Sequence, residues 1–324
     1  MSANLAFRSW YERLFTSDPW TNVYALGRSF LALSPLLTLL FNPANVLFAP
    51  NAEWQSPKCG GWVAEVGLFC VSPSLELARV VAILVLVLVV IGWRPRWTAV
   101  PHAWVVLSMQ NSMTLTEGGD QIAGNLALLL LPIALADGRR WHWSSAPLAG
   151  ASAHGGETSR MVANTTMVLV RFQVAIIYLH AAAGKLAVPE WLDGTAVYYW
   201  MLDPQFGPDG VREYIFTAFT ATAWGVTVVT WGAIVIEFVL ASGLVAGAPM
   251  RKVLFWIGLL FHLGIAVALG LATFGVTMAG ALILFLWPRE EQPRLWEITE
   301  RMRDRVVRRR GDDSEAEVLG QERT

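Results

Sequence analysis

The chain has 324 residues, of which 55% are hydrophobic and only 15% charged, with a formal net charge of −1 and a mean hydropathy of +0.46. Such a composition excludes an ordinary soluble domain and points to a polytopic membrane protein. No Walker loop, dinucleotide fingerprint, zinc spacing or nucleic-acid motif interrupts it, so the expected surroundings are a lipid bilayer and no nucleic acid partner is expected.

A bilayer span needs about 20 mostly apolar residues. In chain order, stretches near that length cover residues 22–41, 75–92, 99–113, 121–136, 161–184, 224–245, 253–271 and 273–287. The third and fourth are short and meet at a polar tip, which makes that hairpin the weakest of the set. Residues 211–224 read as a further interfacial helix. The expected fold class is therefore all-α: a polytopic integral membrane helical bundle of about eight transmembrane helices. Its organisation would be an N-terminal segment (1–21), a membrane domain (22–287) and a basic tail (288–324).

Basic residues supply an independent test, because cytoplasmic loops are enriched in Lys and Arg. With eight spans and the N-terminus inside, the inner segments hold Arg8, Arg13, Arg94, Arg96, Arg139, Arg140, Arg160, Arg251, Lys252 and the tail arginines. The outer loops hold only Lys58, Lys185 and Arg212, leaving aside Arg28, Arg79 and Arg171 within spans. The asymmetry predicts both termini in the cytoplasm and a multi-pass protein of a bacterial plasma membrane. The N-terminal apolar stretch is too long for a cleaved signal and has no clear small-residue cleavage site, so it reads as an uncleaved first span. Trp20, Trp93, Trp97, Trp141, Trp143, Trp191 and Trp287 fall at span ends, as an interfacial aromatic belt requires. From residue 289 the tail reads as a basic amphipathic helix on an anionic leaflet, followed by a polar end.

Both cysteines, Cys59 and Cys70, lie in the first loop, which this topology puts in an oxidising compartment. The expectation is a structural disulfide; a reactive redox pair is the alternative.

Ionisable groups inside apolar spans are costly and usually face the bundle interior, so each is a candidate site. Arg171 lies in the middle of the fifth span. Glu237 and His262 lie at similar distances either side of Pro249, which suggests a Glu–His or Glu–Arg pair near the bilayer centre. Toward the outside, the segment QNSMTLTEGGDQIAGN offers Asn111, Glu117 and Asp120, with Gly118 and Gly119 permitting a tight turn that aims Asp120 inward. The fifth span ends YLHAAAGKLAVPEWLDG, residues 178–194. There Tyr178 and Lys185 share a helical stripe with Arg171, while Gln173 and His180 occupy nearly the opposite side. A lysine at this position either snorkels to the interface or, desolvated beside small residues, serves as a neutral base toward a weakly acidic substrate.

The same segments carry a resemblance. YLHAAAGKL followed by EWLDG, then WGAIVIEFVLASGLVAGAPMR, then LLFHLG resemble the membrane domain of the vitamin K-dependent gamma-carboxylase, over roughly residues 171–287. The wider bacterial set with this domain is the horizontally transferred transmembrane (HTTM) domain family. Within it, the short length and the segment GGDQIAGNLALLLLPIALADGRRWHW look most like the sporulation-delaying protein B branch. The resemblance implies that Lys185 matches a general base deprotonating a reduced quinone of the menaquinone or vitamin K type, and that Glu237 and His262 are pocket residues. It also implies help in maturing, modifying or exporting a secreted, bacteriocin-like peptide toxin, with the peptide and an accessory maturation protein as partners. The carboxylase has a large extramembrane domain; no counterpart is expected after the last span here, and glutamate carboxylation itself is not expected. Any enzymatic role would be quinone-linked or peptide-modifying. A stand-alone quinone enzyme and a transporter or lipid-binding protein are the alternatives.

Overall fold

A computed structural model describes residue 15 and residues 17–50, 56–144, 156–204 and 207–288, all within one compact unit, Met1–Pro288. The expectations for the basic tail lie outside the described residues. The described part is all helical, apart from one isolated antiparallel bridge between Trp93 and Trp141.

Ten main helices follow in order: α1 (Asn22–Phe41), α2 (Leu75–Val90), α3 (Pro95–Ser112), α4 (Gly118–Leu129), α5 (Leu131–Ala136), α6 (Glu157–Lys185), α7 (Gly210–Thr220), α8 (Ala223–Ala241), α9 (Ala248–Leu269) and α10 (Ala272–Leu286). Their ends follow local chemistry. The hydroxyls of Thr21, Ser74 and Thr222 accept hydrogen bonds from the backbone N–H groups of Tyr24, Leu77 and Gly225, satisfying donors that a helix start leaves open. Gly270, at φ 73°, ends α9 in the left-handed conformation that suits glycine. Pro132, at the start of α5, marks where the expected fourth span breaks into α4 and α5.

Four of these helical stretches are long and apolar enough to cross a membrane: Asn22–Phe41, Glu157–Lys185, Ala223–Leu244 and Ala248–Leu269. Ala272–Leu286 is apolar but shorter. The first is largely enclosed by protein, whereas the other three leave most of their surface uncovered. On α6, for example, Leu169, Phe172, Ile176 and Leu179 form an exposed apolar stripe. A stripe of that kind suits lipid rather than water.

The core is organised around α1 and α10. Every residue of α10 from Thr277 to Leu286 is buried, and α1 packs along it. Gly27 and Gly280 bring the two backbones together: a methyl group on Gly280 would lie 2.9 Å from Phe30 Cβ and 3.1 Å from the Gly27 carbonyl oxygen. Small residues at such a seam permit close helix approach in membranes. Because the neighbours are backbone atoms and a Cβ fixed directly to the backbone, none of which can swing aside, Gly280→Ala is expected to destabilise by about 1–3 kcal/mol. Thermal unfolding in detergent measures this, and an unchanged midpoint would contradict so tight a seam.

At one end of the bundle the loop after α1 is tied down by a disulfide between Cys59 and Cys70, with Cα atoms 5.8 Å apart. Backbone bonds from Lys58 N to Ser112 O and from Thr114 N to Leu47 O dock this loop against the α3–α4 connection. Closing a loop of this size stabilises by about 3 kcal/mol on the chain-entropy account. Reduction is therefore expected to lower the melting temperature by several degrees, read in detergent with and without a thiol reductant.

Candidate functional site

The long helix α6 ends in AAAGK, and its final lysine does not reach outward. Lys185 Nζ lies 3.4 Å from the carbonyl oxygen of Ala181, so the side chain runs back along its own helix, the direction in which helical side chains lean. There it meets Glu237 of α8, donating to Oε1 at 2.7 Å and Oε2 at 2.8 Å. The lysine side chain is 21% exposed and the glutamate 10%, so the pair sits at the edge of the protein interior. The ring of Trp191, from the turn after α6, lies 5.1 Å from the ammonium, within cation–π range.

Seven residues earlier on the same stripe, the buried Tyr178 hydroxyl lies 2.9 Å from Nε2 of His262 on α9. The His262 ring is bracketed by Phe261 and by Phe274 of α10, with centroids 5.0 and 5.4 Å away. The charge of Lys185 reaches His262 and that of Glu237 reaches Tyr178, so the two pairs form one electrostatic neighbourhood built from α6, α8 and α9. Beside Lys185, the side-chain face of Gly184 is open.

The expected pairing of Glu237 with His262 or Arg171 is thus corrected. Glu237 takes Lys185 and His262 takes Tyr178. Counting residues from the Pro249 turn relates α8 to α9 only and carries nothing about where α6 ends. Helix α8 begins 14 residues before Glu237, about 21 Å at the α-helical rise, while α6 stops beside Glu237. The chain after α6 fills the remaining length, with Val197 N bonded to Thr230 Oγ1 and Gly194 against Thr227.

Other expected pocket residues fall elsewhere. His180 is exposed, and Arg171 lies half-buried two turns before Tyr178. Asn111 bonds the carbonyl of Leu107 in its own helix at 2.7 Å. Glu117 and Asp120 form a separate cluster beyond Phe274, where a methyl on Gly119 would meet the Phe274 Cα at 3.0 Å. The Gly118–Gly119 step is also not the expected tight turn. It is the first turn of α4, in which the Asp120 carboxylate accepts from the Glu117 backbone N–H at 3.1 Å, a capping arrangement.

Sequence reasoning passed over a third polar layer. Arg28 on α1 is 1% exposed and donates through Nη2 to Thr98 at 3.0 Å, while Nη1 has no partner. Nearby, Ser29 lies 3.2 Å from the His142 Nε2, and the Asp137 carboxylate takes Arg139 Nε at 2.9 Å and Nη2 at 2.8 Å. Arg28 lies within a span and so outside the loop-charge comparison; the rule that intramembrane charges face the interior applies to it with equal force. Among the described residues, no group of three or more His, Cys, Asp or Glu side chains is gathered to hold a metal ion.

An all-helical bundle with apolar spans and a lysine–glutamate pair at a helix end defines a class, an integral membrane protein with a polar site enclosed by its second half. Residues 147–289, which include that site, match the HTTM domain, and the chain belongs to the HTTM domain family, in the group that includes sporulation-delaying protein SdpB. It is 41% identical to the uncharacterized protein YitO of Bacillus subtilis over 86% of this chain and 88% of the relative. It is 36% identical to the sporulation-delaying protein SdpB of the same organism over 85% of this chain and 84% of that protein. No solved structure matches the chain.

Proposed function

We propose that this chain helps to mature, modify or export a secreted peptide, and that the Lys185–Glu237 pair is its working group. The observation that carries the reading is the inward course of the lysine. A residue serving only as an interfacial anchor would extend its ammonium toward headgroups, whereas Lys185 bonds both oxygens of a buried glutamate. Low dielectric strengthens such a pair. Lys185 therefore stands as a proton-exchanging group held in place by Glu237, next to Tyr178 and His262 as further hydrogen-bonding groups.

The likeness to a protein named for delaying sporulation, together with the secreted-peptide role implied by the family resemblance, favours a peptide as the substrate. The distribution of arginines supports eight spans with both termini in the cytoplasm of a bacterial cell, with α2, α3, α4 together with α5, and α10 counting as the four spans beyond the long apolar ones. That topology faces Lys185 toward the outer leaflet.

A second reading has its own observation. The pair lies at the edge of helices whose surfaces are largely uncovered and apolar, so a lipid-dissolved hydroquinone has a lateral route to Lys185. Both readings are tested together by mass spectrometry of peptides released from cells carrying the wild type, Lys185→Ala or no copy, and by titration of the purified proteins with a reduced naphthoquinone. A released peptide whose mass or amount depends on Lys185 supports the first reading. Saturable, Lys185-dependent hydroquinone binding without such a peptide supports the second. Identical results for all samples would overturn both.

A further inference from the structure

At the end of the bundle that carries the disulfide loop, a cavity of about 150 Å³ is lined by Thr38, Asn42, Leu115, Thr116, Glu117, Asp120 and Thr273. It lies on the other side of Phe274 from the Lys185 site. We propose that this cavity binds a small, hard metal cation of the calcium class through oxygen ligands.

Several of its hydrogen-bonding protons are already committed. Thr38 donates to the Ser34 carbonyl at 3.2 Å, Thr273 donates to Glu117 Oε1 at 2.6 Å, and the Asn42 amide nitrogen donates to the Thr38 carbonyl at 2.9 Å. What the lining offers inward is therefore acceptor oxygen: lone pairs of Thr38 and Thr273, the Asn42 amide oxygen, Thr116 and two carboxylates. Among the described residues, no basic side chain lines the cavity. Asp120 is 5% exposed and uses Oδ2 as a cap for Glu117, while its other oxygen, Oδ1, is buried with no hydrogen-bond partner. A buried carboxylate oxygen left without a partner carries a desolvation penalty that a cation removes. Two carboxylates with neutral oxygens make a ligand set suited to calcium, whose coordination tolerates six to eight oxygens in irregular geometry, and less suited to zinc. The volume accommodates an ion that keeps some of its water.

The neighbouring disulfide places this end in an oxidising compartment, where calcium sites have dissociation constants of about 0.1–1 mM. The test is thermal unfolding of the chelator-treated full chain in detergent across a CaCl2 series, with ionic strength held constant by choline chloride. The expected result is a saturable rise in melting temperature, half complete at about 0.1–1 mM. Asp120→Asn should weaken the apparent affinity at least tenfold, and Asn42→Ala, outside any helix, should weaken it severalfold. Lys185→Ala should leave it unchanged, which separates this site from the proposed peptide or quinone site. No saturable response, or one equal in wild type and both cavity variants, would overturn the proposal. So would stabilisation by methylamine hydrochloride in place of CaCl2, which would assign the cavity to an amine.

Discussion

Asp137→Asn is expected to lower stability by about 3–5 kcal/mol, seen as a fall on the order of 10 °C in the unfolding midpoint in detergent. The side chains of Asp137 and Arg139 are 0% and 4% exposed, and both carboxylate oxygens are used on the guanidinium. Asparagine keeps the shape but removes the charge, and arginine cannot shed its own. The charge of Asp137 also reaches Arg28, a second buried cation, so its loss leaves two guanidinium groups with weakened compensation. Replacing Asp137 by Leu and Arg139 by Met together should recover a large part of the loss, because a buried pair exchanged for apolar side chains is often neutral. A double variant no better than Asp137→Asn alone would show that the aspartate acts through its backbone cap rather than through the pair.

The second large effect concerns Lys185. Removing it by Lys185→Met strands Glu237, which is 8% exposed, and a loss of about 3 kcal/mol is expected. Glu237→Met should cost about as much by stranding the lysine. The Lys185→Met/Glu237→Met double variant should lie well above the sum of the single changes, with a coupling of about 2 kcal/mol in a double-mutant cycle. Additive losses would mean that the contact is energetically empty and that Lys185 is an ordinary interfacial cation. The cycle reads the pair itself, so it stands apart from any assay of peptide or quinone.

The helices were largely legible because apolar run length is set by local composition. The expected stretch 22–41 coincides with α1, and the edges of α2, α6, α9 and α10 fall within five residues of the expected limits. Residues 211–224, expected at the interface, overlap α7 over all but its first residue. Cys59 and Cys70 were readable as a pair because they share one loop. Lys185, Tyr178, Glu237 and His262 were each visible as polar groups in apolar helices. Their partners were not, because pairing depends on helix offset, and the extra length of α8 beyond the end of α6 leaves no local mark in composition. The role of Gly118 and Gly119 was misjudged for a related reason: a glycine pair suits a tight turn, but the Glu117-x-x-Asp120 spacing makes a helix start, and that spacing was available in the chain.

The glycine seam between α1 and α10 has a consequence for biosynthesis. A ribosome delivers α1 first and α10 last among the described helices, yet these two are the most intimate neighbours, and Ser34 of α1 also donates its hydroxyl to the carbonyl of Thr273 at 2.9 Å. Until some 250 further residues have been inserted, the most enclosed of the four long spans has no mate for its narrow face. The first helix must therefore wait in the insertion machinery or beside a provisional neighbour, and a nascent chain arrested before residue 272 should remain a substrate for membrane quality control even though every helix it contains is complete.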